Sequence, residues 1–331
     1  MTNLILNSGF NYAQRCTSQD VDSTSTTVVS FNPGSPNTND IYTFDQWKAN
    51  SCLHGAWNYY TNPGAGPTSK TCGLYSNAFN ADKILIYQPI ESVYTKTLAG
   101  VTVTLQAQIK VVSGTCDVNI GLLKWAGTAD YLNPKVMTAW SSGTGNDPTW
   151  NTDYSLDGKT TITATINWQQ IYYTTTLSTT DNNILPAIWC DSTLTSGLYV
   201  AEVMLTVNDQ VQPYASPTNE LNTLQRYCKL IRTPGNYTLV TFGFARTTTE
   251  FRGIISYNKM RTIPTCTLSA VNTWLIQLAG GNTAVTAASA GQIGPDSLML
   301  TMSCAGGLTA GQGGLIFDNN TNTTILLDAG L

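Results

Sequence analysis

The chain has 331 residues, of which 42 % are hydrophobic and 11 % are charged, and its formal net charge is −4. This composition excludes a largely disordered protein, because disordered chains have few hydrophobic and many charged residues. No basic stripe runs through the sequence, which argues against binding to nucleic acid or to an anionic membrane. Thr, Asn, Ser and Gly replace the charged residues, as is typical of β-rich proteins.

The sequence shows no export or membrane-insertion signal. Its first residues, MTNLILNSGF, lack a basic region and contain only a short apolar run. No stretch approaches the roughly 18 apolar residues of a transmembrane helix. We expect a protein that folds in the cytoplasm, or that leaves the cell by lysis or a nonstandard route.

The cysteines are widely spaced and form no CxxC or CxxH pair, so a zinc site is not expected. Because there is no export signal, we predict buried free thiols, with disulfides as the alternative. The eight residues are Cys16, Cys52, Cys72, Cys116, Cys190, Cys228, Cys266 and Cys304.

Alternating patterns dominate the first two-thirds of the chain. In residues 100–112, GVTVTLQAQIKVV, the odd positions from 101 to 111 are apolar and the even positions from 102 to 110 are Thr, Gln or Lys. Further strands are expected at 116–123, 161–166, 168–177 and 198–207. Each strand has one apolar face, which predicts an antiparallel β-sandwich. Long polar loops are expected at 30–40, 57–73 and 126–158, and loops of this length are often functional.

A helix is predicted at 218–233, where Leu221, Leu224 and Tyr227 recur at helical spacing after Pro217. Short strands separated by Gly-rich turns follow and predict a second, smaller β domain. The basic residues are unevenly distributed, because seven of the 16 fall in 226–261 and none follows Arg261.

Several segments in order resemble phage tail-fibre and virion structural proteins. They are NLILNSGFNYAQR with YTFDQW (42–47), IYQPIESV (86–93), WQQIYYTTTL (168–177), YVAEVMLTVNDQVQPYASPTNELNTLQRYCKLI and TTILLDAGL. The chain departs from the family pattern at Gln46, where Arg is usual, and at Gly330, where an acid is usual. The resemblance implies an all-β protein. It would comprise a carbohydrate-binding-module-like jelly roll (1–212), a loop and linking helix (213–235) and a small β domain for assembly (236–331).

Catalysis is not expected from the sequence. His54 is the only histidine, and the common hydrolase, metalloprotease and nucleotide-binding motifs are absent. A glycosidase needs two carboxylates about 5–9 Å apart. Asp147, Asp153 and Asp157 are the best candidates for such a pair, although polar turn residues are the simpler interpretation.

Glycan binding is a more specific hypothesis, because aromatic faces stack on sugar rings while amides and carboxylates bind hydroxyls. The candidates lie in the predicted loops, where the alternative is that they close the open end of the sandwich. They are Trp57, Tyr59, Tyr60, Trp125, Tyr131, Trp140, Trp150 and Tyr154. Trp47 and Trp168 lie in predicted strands, so we expect both in the core.

The resemblance also implies a structural Ca²⁺ near the N-terminal strand, held by backbone carbonyls and one acid, here Glu202. The alternative is a surface acid on the outer face. No other cofactor is expected.

The weakly charged segment 263–331 favours an assembly surface, because large interfaces are depleted in Lys and Glu. The resemblance implies a homotrimer that contacts other virion proteins and host polysaccharide. We therefore expect a non-enzymatic virion protein, a tail- or capsid-associated fibre or decoration subunit for host attachment. The alternatives are a secreted lectin-like protein and a glycan-degrading tailspike enzyme.

Overall fold

In a computed structural model of the protein, the described residues are 3–6, 8, 10, 41–44, 46–51, 56–60, 73–77, 82–140, 147–194, 197–215 and 219–331. Only the backbone is described at 41–44, 51, 56–60, 73–77, 82 and 191–194. The chain forms two compact units, Met1–Leu221 with Leu331 (unit 1) and Asn222–Gly330 (unit 2). Both consist mainly of antiparallel strands, so the all-β prediction is confirmed.

The elements of residues 1–224 are mostly strands, with two short helices, and the division between the two units falls within the second helix. They are β1 (Ile41–Phe44), β2 (Trp47–Ser51), β3 (Ala56–Tyr60), β4 (Gly73–Asn77), β5 (Asp82–Tyr87), α1 (Ser92–Thr97), β6 (Thr102–Val111), β7 (Cys116–Trp125), β8 (Met137–Ala139), β9 (Thr149–Trp150), β10 (Tyr154–Ala164), β11 (Gln169–Thr176), β12 (Asn183–Leu194), β13 (Leu198–Val207) and α2 (Glu220–Leu224). In the part of the chain that the structure describes, no helix has the length and apolar character needed to cross a membrane.

Two sheets form the sandwich of unit 1. Sheet I has the order β1-β2-β5-β12-β7-β10, and sheet II has the order β11-β6-β13-β4-β3. Their facing side chains form one core, to which β6 contributes its predicted odd-numbered face from Val103 to Val111. Trp47 is fully buried in this core and packs on Phe10 with ring centroids 5.1 Å apart, so its predicted core position is confirmed.

Sheet I is also buried on its outer face, which the one-face pattern did not predict. Leu85, Leu123 and Trp189 project from the central strands into a second apolar cluster. The 126–158 segment supplies the cover, since Val136 and Met137 are buried against them. The segment is therefore a packed layer that contains the β8–β9 hairpin, and the long-loop prediction is wrong there.

The cover is attached to the helix α1. The sequence pattern did not predict this helix, because the segment IYQPIESV resembles a strand. The strand β5 ends at Tyr87 and α1 begins at Ser92. The carboxylate of Asp130 accepts hydrogen bonds from the backbone N–H (2.7 Å) and hydroxyl (2.8 Å) of Ser92 and from the Asn183 amide (2.7 Å). Asp130 thus satisfies a free N–H of the first helical turn from outside the helix.

Unit 2 is a second sandwich. It contains β14 (Cys228–Arg232), β15 (Leu239–Ala245), β16 (Glu250–Ser256), β17 (Thr265–Leu268), a 3-10 turn (Val271–Thr273), β18 (Trp274–Leu278), β19 (Gly281–Ala284), β20 (Ala287–Gly291), β21 (Ser297–Ser303), β22 (Gly313–Asp318) and β23 (Thr324–Asp328). Sheet III has the order β14-β23-β17, and sheet IV has the order β19-β18-β22-β15-β16-β21-β20. Phe251, Trp274 and Leu327 belong to the core between them.

The helix predicted at 218–233 is wrong beyond its first turns. The helix α2 ends at Leu224, and residues from Cys228 form β14, which pairs along its whole length with β23. A five-residue pairing with a distant strand outweighs the local helical spacing, because helical propensity is a weak prior.

The prediction of free thiols is wrong for two of the cysteines. Cys116 and Cys190 form a disulfide inside the unit 1 core, where their strands β7 and β12 are neighbours. Cys266 and Cys304 are free, as predicted, and burial raises the pKa of the Cys266 thiol to about 11. The side chains of Cys16, Cys52 and Cys72 lie outside the described residues.

Candidate functional site

The outer face of sheet II carries the side chains that alternate with the core residues of β6, β11 and β13. Pairing aligns Gln170 with Gln108, and Tyr199 with Lys110, on this face. Trp168 immediately precedes β11 and shares the parity of Gln170. Because antiparallel strands lie about 4.8 Å apart, these side chains form one continuous patch, which we call the aromatic–amide patch.

The centre of the patch is a lysine between two rings. The Lys110 Nζ lies 4.9 Å from the ring centroid of Trp168 and 4.9 Å from that of Tyr199. The two rings are 6.3 Å apart and tilted by 60°. All three side chains are partly exposed. Cation–π attraction holds the ammonium between the two rings.

Amide and aromatic groups surround this centre. Gln170 is exposed, Gln108 is partly exposed and Tyr172 is 50 % exposed. Among the described residues, neither glutamine side chain has a hydrogen-bond partner. Each therefore presents an amide oxygen and an amide nitrogen to solvent, and can both accept and donate a hydrogen bond.

A polar loop covers the other half of the same face. The Gln106 amide exchanges two hydrogen bonds with the backbone of Gln212 (2.7 and 2.8 Å), and Thr104 donates to the carbonyl of Asn208 (2.8 Å). Met204 is buried under the same loop, and its sulfur accepts a hydrogen bond from Ala215 N–H (3.1 Å). The loop thus forms one border of the open patch.

The candidate glycan residues of the 126–158 region mostly serve packing. Trp125 is 4 % exposed, its indole donates to the Thr128 carbonyl (2.8 Å) and its ring packs on Tyr154 at 4.6 Å. Trp150 packs edge-on against Trp189 at 5.8 Å, and Trp140 is also partly buried in this layer. These contacts match the alternative that loop aromatics cover the sandwich.

Tyr131 is the exception, because it is 81 % exposed. Trp57, Tyr59 and Tyr60 belong to the edge strand β3 of sheet II, where a loop was predicted, and their side chains lie outside the described residues. His54 also lies outside the described residues.

Trp168 is not in the core, which corrects the sequence-based prediction. The available signal was parity, since the apolar partners in this strand, Ile171 and Tyr173, occupy odd positions and Trp168 an even one. In a strand, odd and even positions point to opposite faces. Gln170 and Tyr172 also occupy even positions, so they lie on the same face as Trp168.

The three candidate catalytic aspartates have separate structural roles. Asp147 pairs with Lys159 (2.6 Å), whereas Asp157 pairs with Lys124 (3.0 Å). Asp153 lies in a turn with a φ of +69°, and its carbonyl accepts the Ala126 N–H. Two of the three carboxylates are thus neutralised by different lysines, which favours the turn and ion-pair interpretation.

Asp157 belongs to a polar cluster whose members titrate differently. Burial opposes its ionisation, but hydrogen bonds from Thr175, Lys124 and Tyr173 together outweigh burial and lower its pKa. Burial raises the pKa of the neighbouring Asp181, and Lys124 only partly offsets this effect. One carboxylate oxygen of Asp181 is buried without a hydrogen-bond partner. Asp181 is therefore the less stably ionised of the two acids.

Glu202 lies at a bulge in β13 with a φ of +52° and is 6 % exposed, so it is not the surface acid of the alternative interpretation. Next to it, Val203 N–H donates to the Ser8 carbonyl (3.3 Å) and Leu4 N–H to the Leu205 carbonyl (3.0 Å). In the described part of the chain, no three His, Cys, Asp or Glu side chains gather into a possible metal site. The calcium prediction relies on backbone carbonyls and stays a prediction.

Comparisons with known proteins give weak structural likenesses. No family model and no curated protein matches the chain. It is similar to TmCBM61 in complex with β-1,4-galactotriose (9 % identity, TM-score 0.33, covering 63 % of this chain and 100 % of that one). It is also similar to the CBM22-1–GH10 modules of Clostridium thermocellum xylanase 10B complexed with xylohexaose (16 % identity, TM-score 0.34, covering 53 % of this chain and 29 % of that one).

A third likeness is to the enzymatically active domain of bacteriophage CBA120 tailspike protein 4 (11 % identity, TM-score 0.33, 54 % of this chain and 21 % of that one). The chain therefore spans less than a third of the xylanase and tailspike chains. At these identities and TM-scores, the likenesses assign neither a ligand nor an activity to this protein.

Proposed function

We propose that the protein binds a glycan on the aromatic–amide patch of sheet II and does not cleave it. The observation that carries the proposal is the pair of partly exposed rings, Trp168 and Tyr199, beside the amides of Gln108 and Gln170, which have no hydrogen-bond partner among the described residues. Sugar rings present C–H faces that pack on aromatic rings and hydroxyls that need both donors and acceptors, and this patch offers both kinds of contact.

Binding of soluble polysaccharides, measured by affinity electrophoresis and calorimetry, tests the proposal. Trp168→Ala should weaken binding at least tenfold, about 1.4 kcal/mol, because it removes an aromatic face. Tyr131→Ala is the matched control, since Tyr131 is an exposed aromatic in the cover of sheet I. Unchanged melting temperatures would show that both variants remain folded. Loss of binding in Tyr131→Ala alone would move the site to the 126–158 cover.

We further propose that the protein is a virion structural subunit that attaches to host-surface glycan, and that unit 2 joins copies of the chain. The sequence resemblance supports the virion setting. The outer face of sheet IV supports self-association, because it exposes Phe242 (69 %), Phe244 (51 %) and Ile254 (66 %) on neighbouring strands. A secreted lectin-like protein remains the alternative function.

The size of this face suits a second copy of the chain. Seven strands spaced about 4.8 Å apart, each about 20 Å long, present roughly 600 Å². A stable interface of standard size buries about 800 Å² per partner, so the whole face would have to be buried, together with some surface beside it. Sheet faces that expose apolar side chains can pack against a neighbouring subunit. The resemblance implies a homotrimer as the final assembly.

Size-exclusion chromatography with light scattering tests self-association. Ile254→Thr should dissociate the assembly, because it places a hydroxyl at the centre of the apolar face. Ile263→Thr is the control, because Ile263 is equally exposed (65 %) but lies outside the strands of sheet IV. A wild-type protein that is monomeric at all concentrations would contradict the assembly proposal and favour the lectin-like alternative.

A further inference from the structure

The charge on the aromatic–amide patch points to the chemical class of the ligand. Among the described strand positions on this face, Lys110 has the only exposed charged side chain, since Glu202 is buried in the bulge of β13. The other positions carry Thr, Gln, Tyr, Ala or Met. Among these described positions, a single cation therefore lies between uncharged side chains.

Lys110 differs from the lysines on the opposite sheet. Lys124 and Lys159 each pair with an aspartate, at 3.0 and 2.6 Å. No carboxylate of the described residues pairs with Lys110, whose contacts are the rings of Trp168 and Tyr199. Aromatic faces orient an ammonium group, but they do not neutralise its charge. The three N–H groups of the ammonium can therefore donate to an acceptor supplied by the ligand.

We propose that the patch binds an acidic glycan, and that a carboxylate or sulfate of the sugar pairs with Lys110 while a neighbouring sugar packs on Trp168 or Tyr199. This inference rests on the proposed glycan-binding function. Hydrogen bonds between an ammonium and a carboxylate are stronger than those between neutral groups, so Lys110 would decide which sugar occupies the centre of the patch.

The net charge of unit 1 means that an acidic ligand has to be attracted locally. Residues 1–221 contain nine Lys or Arg and 16 Asp or Glu. A surface with this balance repels polyanions in general, so attraction of an acidic polysaccharide has to come from a local cation. Lys110 is positioned to supply it between two groups that can pack on the sugar.

Binding of polygalacturonate and of its fully methyl-esterified form tests the inference, because the two polymers share a backbone and differ in charge. Alginate, chondroitin sulfate, xylan and galactan complete the panel of acidic and neutral polymers. The wild-type protein should bind at least one acidic polymer at least tenfold more tightly than the neutral polymers. Raising the salt concentration to about 1 M should weaken this binding, because the screening length falls to about 3 Å.

Three lysine variants separate charge from packing. Lys110→Gln should reduce binding of the acidic polymer at least tenfold and leave binding of neutral polymers unchanged. Lys110→Arg should retain acidic binding within about threefold, because Arg keeps the charge and the contact with the rings. Lys96→Gln, an exposed lysine on α1, is the control and should bind as the wild type does.

The outcomes distinguish this inference from the proposed function. Preference for a neutral polymer, or acidic binding that survives Lys110→Gln, would overturn the acidic assignment, while loss of binding in Trp168→Ala would still support a glycan site. Failure of the wild-type protein to bind any polymer in the panel would overturn both proposals.

Discussion

Two adjacent glycines in β22 should respond to the same substitution in opposite ways. A Cβ added at Gly314 would lie 2.7 Å from the carbonyl oxygen of Gln277, 2.8 Å from Leu278 Cδ2 and 3.1 Å from Phe251 Cε2. A Cβ added at Gly313 would meet nothing within 4 Å. We therefore expect Gly314→Ala to destabilise unit 2 and Gly313→Ala to leave it intact or stabilise it.

The loss of stability in Gly314→Ala depends on which atoms the added methyl group would displace. Gln277 pairs with Leu315, so its carbonyl is fixed by the ladder between β18 and β22, and Phe251 is fully buried. Inserting a methyl group into a packed interior costs about 1–3 kcal/mol. Replacing Gly by Ala also restricts the unfolded chain, which stabilises by about 0.4–1 kcal/mol where the backbone conformation allows it. The expected net loss for Gly314→Ala is about 1–2 kcal/mol.

Differential scanning calorimetry measures the effect, and hydrogen exchange of the β18 and β22 amides assigns it to unit 2. For a domain of this size, 1 kcal/mol corresponds to a shift of about 4–8 °C in Tm. Gly314→Ala should lower the Tm of unit 2 by about 5–15 °C, and Gly313→Ala should raise it by a few degrees. Equal shifts for both variants would refute the packing of Phe251 over Gly314.

Three further predictions concern polar groups and a thiol. Asp130→Ala should destabilise unit 1 by about 1–3 kcal/mol in urea unfolding, because it leaves the Ser92 N–H and the Asn183 amide without their shared acceptor; full stability would show that water replaces the carboxylate. Burial raises the folded-state pKa of Asp181, so ionisation of this acid destabilises the fold above that pKa. Asp181→Asn should therefore raise the Tm at pH 7 but not at about pH 3, where the acid is protonated in both the folded and the unfolded state. A stabilisation of equal size at both pH values would contradict this cause. The pKa of Cys266 is raised to about 11, so iodoacetamide should alkylate it slowly at about pH 8 and faster as the pH rises, because the thiolate is the nucleophile. A rate at about pH 8 equal to that of an unperturbed thiol would contradict its burial.

The strands with one apolar face were predictable, because alternation alone determines their two faces. The prediction for 100–112 agrees with β6 (Thr102–Val111), and the prediction for 198–207 agrees with β13. The strand β12 (Asn183–Leu194) was missed because it is buried on both faces and does not alternate. A continuous apolar run of this kind reads equally well as a buried helix or a buried strand.

The candidate site was less predictable than the fold, because exposure depends on which distant segment covers each face. The sequence places Gln106 and Gln108 on the same outer face of β6. The loop after β13 covers Gln106, which is 3 % exposed, and leaves Gln108 partly exposed. No local pattern in β6 carries that information, since the two partners are 106 residues apart in the chain.

The aromatic residues of unit 1 therefore fall into two groups, those packed in the cover of sheet I and those on the outer face of sheet II. Sheet I is covered by the 126–158 segment, whose Trp125 and Trp150 pack on Tyr154 and Trp189 and contribute apolar area to stability. Among the described residues, sheet II is covered by a polar loop that bonds to Gln106 and leaves Lys110 partly exposed. The partly exposed rings beside Lys110 therefore fit the proposed glycan site, whereas Trp125 and Trp150 of the cover contribute to the packing of unit 1.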